Sequence, residues 1–223
     1  MPGKLARYLS LSVALAAPLG AARREGPAPA VTIFVYNYAA IQPEVLAATK
    51  SEAGRILWKS GVKTEWLDCP LTPKEAAAFP ACHVEPGPTR LAVRILPQAM
   101  VERMQRARDC FGFALHPEDG SFAAVANVFA HLAAQIAGRH GMRHGVVLGH
   151  IVAHELGHLL LGEGSHSGGG IMHVPWLAKE LERVAQGTMR FTGSESRKMR
   201  ANTAARMAAA GSPANAVARQ ETR

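Results

Sequence analysis

Along the chain, apolar positions switch between a two-residue and a three-to-four-residue spacing. Residues 31–38, VTIFVYNY, are β-branched and aromatic, which predicts a strand. In QPEVLAATKSEAGRILWKSG, the residues Val45, Leu46, Ala53, Ile56 and Leu57 recur at helical spacing. Pro43 stands near the start of that segment and Gly61 at its end, so it predicts a helix. VKTEWLDC alternates as a strand does, and TRLAVRILP places Leu91, Val93 and Ile95 on one face of another. Two further short strands are expected, one in CFGFAL and one around Ala123 to Phe129, separated by the turn-forming HPEDGS. The pattern of FAHLAAQIAGRH fits the continuation of that strand and the start of a helix equally well.

GVVLGHIVAHELGHLLLG is apolar almost all round, the profile of a helix buried in the centre of a domain. No regular pattern follows Gly170 until GSESRKMRANTAARMAAAG, a helix that Ser194 can cap and Gly211 can end. No internal repeat is present. The order strand, helix, strand, loop, strand, with helices after it, predicts an α/β (α+β) fold: a mixed β-sheet with packed helices and one buried central helix. The expected domain covers residues 30–211, and the small polar residues 212–223 are expected to form a flexible tail.

Composition supports a single globular domain. Nearly half of the 223 residues are apolar and fewer than a fifth are charged. The net charge of +8 is scattered over Arg23, Arg24, Arg103, Arg106, Arg108, Arg197, Lys198 and Arg200. No basic run is interleaved with aromatics, which argues against nucleic acid as a partner. At the N-terminus, Lys4 and Arg7 precede a mostly apolar Leu9–Leu19, followed by Gly20, Ala21 and Ala22. This is the layout of a signal peptide over residues 1–22, cleaved after Ala22, and it predicts an exported protein, periplasmic or secreted. No other stretch reaches the roughly 20 apolar residues of a membrane span. Export permits disulfides, and a Cys69–Cys82 bridge would close the loop CPLTPKEAAAFPAC, leaving Cys110 over. No recognisable propeptide is expected between residue 23 and the first strand.

The chemistry concentrates in the buried helix. Seven of the ten histidines lie between residues 140 and 173. His154, Glu155 and His158 form His-Glu-x-x-His. On a helix, residues four apart lie about 6 Å apart on one face, so two imidazoles can address one ion while the glutamate flanks them. That arrangement suits zinc: the ion acidifies a water molecule and Glu155 takes its proton as general base. A catalytic zinc needs a third protein ligand. Glu163 follows Gly162 directly, before the chain has room to reverse. His166 has three more residues, which span about 10 Å, and is the expected third ligand. Gly157 is a poor helix former, which implies close packing of another segment there. His150 is expected against a backbone carbonyl, His140 and His144 in a solvated turn, and His173 near the cleft. Trp176 fits core and cleft wall equally.

His154, Glu155, His158, Gly162, His166 and Met172 together resemble the metzincin clan of zinc peptidases, whose pattern is His-Glu-x-x-His-x-x-Gly-x-x-His followed by a methionine under the metal. Here the glycine comes one residue late, the third histidine two late, and the methionine after only five intervening residues. HVPW stands where some members place a tyrosine. The stretch is also similar to that of small, exported, uncharacterised bacterial proteins with the same widened motif. The resemblance covers residues 144–176 and implies a Zn2+ site of His154, His158 and His166, with a peptide or protein as substrate. It also implies an edge strand above the active-site helix, expected at Ala123–Phe129, to pair with extended substrate. Two other readings stay open: an exported zinc-binding protein without turnover, and a zinc amidase acting on small or cell-wall peptides.

Overall fold

The computed structural model describes residues 28–104 and 110–211; the expected signal peptide and C-terminal tail lie outside them. The first strand, β1 (Ala30–Asn37), leads into α1 (Pro43–Lys59) and returns in β2 (Lys63–Cys69), paired parallel to β1 with Ile33 opposite Trp66. Gly61 turns the chain out of α1 at φ +85°, a conformation that glycine adopts without strain. A short helix α2 (Pro73–Ala76) and a 3₁₀ turn (Pro80–His83) then fill a loop closed by the Cys69–Cys82 disulfide. Cys110 takes no part in that bridge.

The sheet continues with β3 (Arg90–Leu96), parallel to β1 on its other side, with Ile33 opposite Leu91. After α3 (Gln98–Arg103) come β4 (Gly112–Leu115) and β5 (Val125–Phe129). The strand order is β2-β1-β3-β5-β4, with β5 parallel to β3 and β4 antiparallel to β5. This mixed sheet with packed helices is the α/β architecture expected from the sequence. One expectation fails: Ala123–Phe129 is not an edge strand. Val125–Phe129 of it form β5, which pairs on both sides, and the edge beyond it is β4. Ala126, Asn127, Val128 and Phe129 are all buried, as befits a strand covered on both faces and paired at both edges.

FAHLAAQIAGRH resolves as a helix, α4 (Ala130–Arg139), beginning directly after β5. It leads into α5 (His144–Leu161), in which fifteen of eighteen residues are buried, so this helix is the centre of the molecule. It packs on α1, α4, α6, α7 and strands β4 and β5. Helix α6 (Ala178–Ala185) falls where no regular element was expected. It is only eight residues long and mostly polar, and it buries Val184 alone, so its apolar side is too short a run to stand out in the sequence. Helix α7 (Gly193–Ala210) is capped by Thr192, not Ser194. The Thr192 hydroxyl accepts from the Glu195 backbone N–H at 3.2 Å, and the Glu195 carboxyl accepts from the Thr192 N–H at 2.6 Å. This reciprocal box outcompetes serine two residues later.

Two contacts fix α5 lengthwise. At its N-terminal half it crosses α1 at glycines. A Cβ on Gly149 would stand 2.7 Å from the Glu52 Cβ and 2.9 Å from the Thr49 carbonyl oxygen; one on Gly145 would stand 2.6 Å from the Ala48 Cβ. At its C-terminal end the last carbonyls have no partner within the helix. Arg206, only 3 % exposed, donates to the Leu159 carbonyl, and Asn202 donates to that of Leu160 at 2.9 Å. Arg206 also reaches the carbonyls of Ala123 at 2.9 Å and Pro88 at 3.1 Å, which ties α7 to the entrances of two strands. Burial lowers its pKa to about 10, which leaves the cation charged at neutral pH beside the negative end of the helix.

Gly149→Ala tests the helix crossing. Alanine gains about 1 kcal/mol in helix propensity. The new methyl meets a backbone oxygen that cannot rotate away, and overpacking of this kind costs roughly 1–3 kcal/mol. The expected outcome is a lower urea midpoint at unchanged slope; a raised midpoint would show that the two helices part freely.

Candidate metal centre

Helix α5 carries His154, Glu155 and His158 to the floor of a cavity of about 760 Å³. Gly162 ends the helix at φ +96° and Gly164 turns the chain again at φ +65°, backbone conformations that favour glycine. The chain thereby doubles back and brings His166 over the helix. The ligand-capable atoms of His154, His158 and His166 all lie within 4.8 Å of one another. His154 is buried, His158 half-buried and His166 exposed to the cavity. Glu163 lines the same cavity but stands outside this cluster.

The rings are oriented from behind. His154 Nδ1 donates to the Ile171 carbonyl at 2.8 Å, which leaves Nε2 as the lone-pair nitrogen. His158 Nδ1 shares a hydrogen bond with the Ser165 hydroxyl at 2.9 Å. The two Nε2 atoms then face each other at 3.1 Å. Two nitrogens bound to one tetrahedral zinc at about 2.0–2.1 Å would be roughly 3.3 Å apart, so the pair is already spaced for a shared ion. Burial, reinforced by the neighbouring imidazoles, lowers the pKa of His154 to about 4 and of His158 to about 3. Both rings are therefore neutral at physiological pH, the state a metal requires.

Glu155 is 2 % exposed, and its Oε2 has no hydrogen-bond partner among the described residues. Burial alone raises its pKa to about 8. A buried carboxyl with an orphaned oxygen, next to three imidazoles with converging nitrogens, is a site that a cation would complete. The residues present thus fit a metal ion held by three histidines.

The surroundings explain the glycines of the motif. A Cβ on Gly157 would stand 2.6 Å from the Met172 sulfur and 2.8 Å from the Phe191 ring, so Met172 and Phe191 are the close-packing segment expected there. Gly112 lies where edge strand β4 crosses the helix. A Cβ there would meet the Asn127 carbonyl oxygen at 2.1 Å and the Glu155 carboxyl carbon at 2.9 Å. The edge strand therefore runs directly over Glu155.

Other residues singled out by the sequence separate cleanly. His150 is fully buried, and its Nδ1 donates to the Val146 carbonyl at 2.8 Å, as expected, with Glu52 Oε1 3.5 Å from the same nitrogen. His144 is not in a turn: it opens α5, half-buried, and burial lowers its pKa. His140 is exposed and lines the cavity. His173 contacts the Ser167 carbonyl at 3.2 Å and does not line the cavity. Trp176 lines it, 4.6 Å from the Phe111 ring and 6.0 Å from that of His154. Phe111 and His116 of the cavity wall, and Ser165 behind His158, were not singled out. Each sits in a loop or strand end whose spacing carries no motif.

No family model and no curated protein matches the sequence.

The state of Glu155 predicts a pH dependence for the metal-free protein. Its folded pKa of about 8 lies above the ordinary 4.5, so its contribution is fully present below pH 4.5 and is lost as pH rises toward 8. The histidines, whose pKa values fall below the ordinary 6.5, add stability as pH rises to that value and no slope above it. Between pH 6.5 and 8, unfolding free energy in the presence of a chelator should fall by about 2 kcal/mol. Urea titrations of Glu155→Gln should lack this slope; an identical slope in that variant would place the titration elsewhere.

Proposed function

We propose that this chain is a zinc-dependent hydrolase, and specifically a peptidase. The observation that carries the reading is the buried Glu155 carboxyl, with one oxygen unpartnered among the described residues, beside the three-histidine cluster and under an edge strand. His154, His158 and His166 would hold the ion. Zinc bound there supplies Lewis acidity, which polarises a carbonyl and acidifies a water molecule. Glu155 takes a proton from the attacking water and then delivers it to the leaving amine. Its raised pKa in the absence of a cation suits the second role, and a cation beside it would lower that pKa for the first.

Three features support a peptide as the substrate. Strand β4 is antiparallel and lies at the sheet edge, so an extended peptide could add to it by backbone hydrogen bonds. Gly112 lets that edge approach Glu155 closely. The cavity has an apolar wall of Phe111, Phe113, Ile136, Val174, Trp176 and Leu181, which could receive an apolar side chain. Among the described residues, no fourth histidine, cysteine or carboxylate joins the cluster, which favours an open coordination position over a closed structural one. Export is part of this reading, supported by the Cys69–Cys82 bridge, since such bridges persist in oxidising compartments. Among the described residues, no helix is long and apolar enough to cross a membrane.

The test is purified protein with its metal content measured, assayed on unstructured protein and peptide-library substrates before and after chelation. Chelation should abolish cleavage and zinc should restore it. Glu155→Gln should keep one zinc per chain and lose roughly 10²–10⁴-fold in turnover. Parental turnover in a zinc-loaded Glu155→Gln variant would overturn the mechanism.

A further inference from the structure

The three clustered histidines are not held alike. His154 is oriented by the Ile171 carbonyl and His158 by the Ser165 hydroxyl. Among the described residues, no hydrogen bond orients the His166 ring, and the residue sits on a glycine-rich loop exposed to the cavity. Something else must fix it, because a loop with glycines at positions 162, 164, 168, 169 and 170 is otherwise free to move.

The next residue supplies the anchor. Every polar group of Ser167 is engaged: its N–H donates to the Met172 carbonyl at 3.2 Å, and its carbonyl accepts from His173 Nδ1 at 3.2 Å. Its hydroxyl lies 2.6 Å from Glu195 Oε1 and 2.8 Å from the Gly169 carbonyl. Glu195 is 8 % exposed, and its other oxygen accepts from the Thr192 N–H in the cap of α7. The same two segments meet twice more. The Ile171 N–H donates to the Arg190 carbonyl at 2.9 Å, and a Cβ on Gly170 would stand 2.8 Å from that oxygen. A buried carboxyl that serves both a helix cap and a distant loop rigidly joins the two.

We propose that the Ser167–Glu195 hydrogen bond is a positioning device for the metal centre: the cap of α7 holds the loop so that His166 stands ready as third ligand. Ser167 and Glu195 are positioning residues that touch neither metal nor substrate. The inference rests on the proposed three-histidine site. It predicts that zinc affinity depends on a residue pair 28 apart in sequence and outside the His-Glu-x-x-His motif. Loss of an outer partner of a metal ligand typically loosens binding 10–100-fold.

Zinc affinity is measured by competition with a chromophoric chelator on the full chain, with the visible spectrum of the Co2+-loaded protein as the signature of coordination. Four variants are compared: Ser167→Ala, Glu195→Ala, the double variant, and His166→Ala. Ser167→Ala should raise the zinc Kd about tenfold or more and alter the cobalt spectrum, while its metal-free melting temperature stays near the parent's. Ser167→Thr, which keeps the hydroxyl, should restore affinity. Glu195→Ala loses part of the helix cap and should melt lower, yet the double variant should bind zinc no more weakly than Glu195→Ala alone, because the contact to Ser167 is already gone there. Parental Kd and spectrum in Ser167→Ala and Glu195→Ala, with His166→Ala weakened, would overturn the clamp and leave the ligand assignment standing. Parental Kd in His166→Ala would overturn both.

Discussion

A carboxyl group and two imidazoles are carried into the interior on the most apolar helix among the described residues. Their desolvation is the constraint to which the rest of the structure responds. Removing Glu155 from water raises its pKa to about 8, and the same burial lowers His154 to about 4. Neither shift relieves the site. A protonated Glu155 still has an orphaned oxygen, and the Nε2 atoms of His154 and His158, 3.1 Å apart, have only a single hydrogen bond to share between them. A divalent cation answers both demands at once, since it accepts the imidazole lone pairs and favours the carboxylate.

Holding such a site requires a helix that cannot shift. Three glycines on α5 serve this end for different reasons. Gly145 and Gly149 let α1 approach to backbone contact, and Gly157 admits Met172 and Phe191 beneath the motif. Arg206 and Asn202 secure the carbonyls of the two residues that follow His158. The helix α7 therefore serves the site from two ends. Its last turns hold α5, and its cap holds the loop that carries His166. The sheet contributes at its antiparallel edge, where the absence of a side chain at Gly112 lets β4 pass over Glu155.

Much of this was legible in the sequence, and the limits have physical causes. The strands β1, β2 and β3 and the helix α1 announce themselves through apolar spacing, α5 through a profile that is apolar almost all round, and α7 through residues able to cap and end a helix. The motif places His154, Glu155 and His158 by helical geometry alone, and the reach of the chain after Gly162 singles out His166 over Glu163. Edge position is different: it depends on which strands pair across the chain, and Ala123–Phe129 gave no local sign of whether β4 would lie outside it. Helix α6 is amphipathic but only eight residues long, too short a run to stand out. Ser167 and Glu195 were invisible for a third reason. A hydrogen bond between a loop serine and a helix-cap glutamate leaves no pattern in either segment. Thr192 and Glu195 did offer the threonine-x-x-glutamate signature of a capping box, and that signal could have corrected the placement of the cap at Ser194.

The central claim is that one ion sits between three particular imidazoles, and anomalous scattering at the zinc edge from crystals of the zinc-loaded protein addresses it most directly. The account predicts a single strong peak at about 2.0–2.1 Å from nitrogens of His154, His158 and His166, with no further protein ligand. A peak coordinated by the Glu163 carboxylate in place of His166, or a closed site with a fourth side chain on the metal, would contradict it.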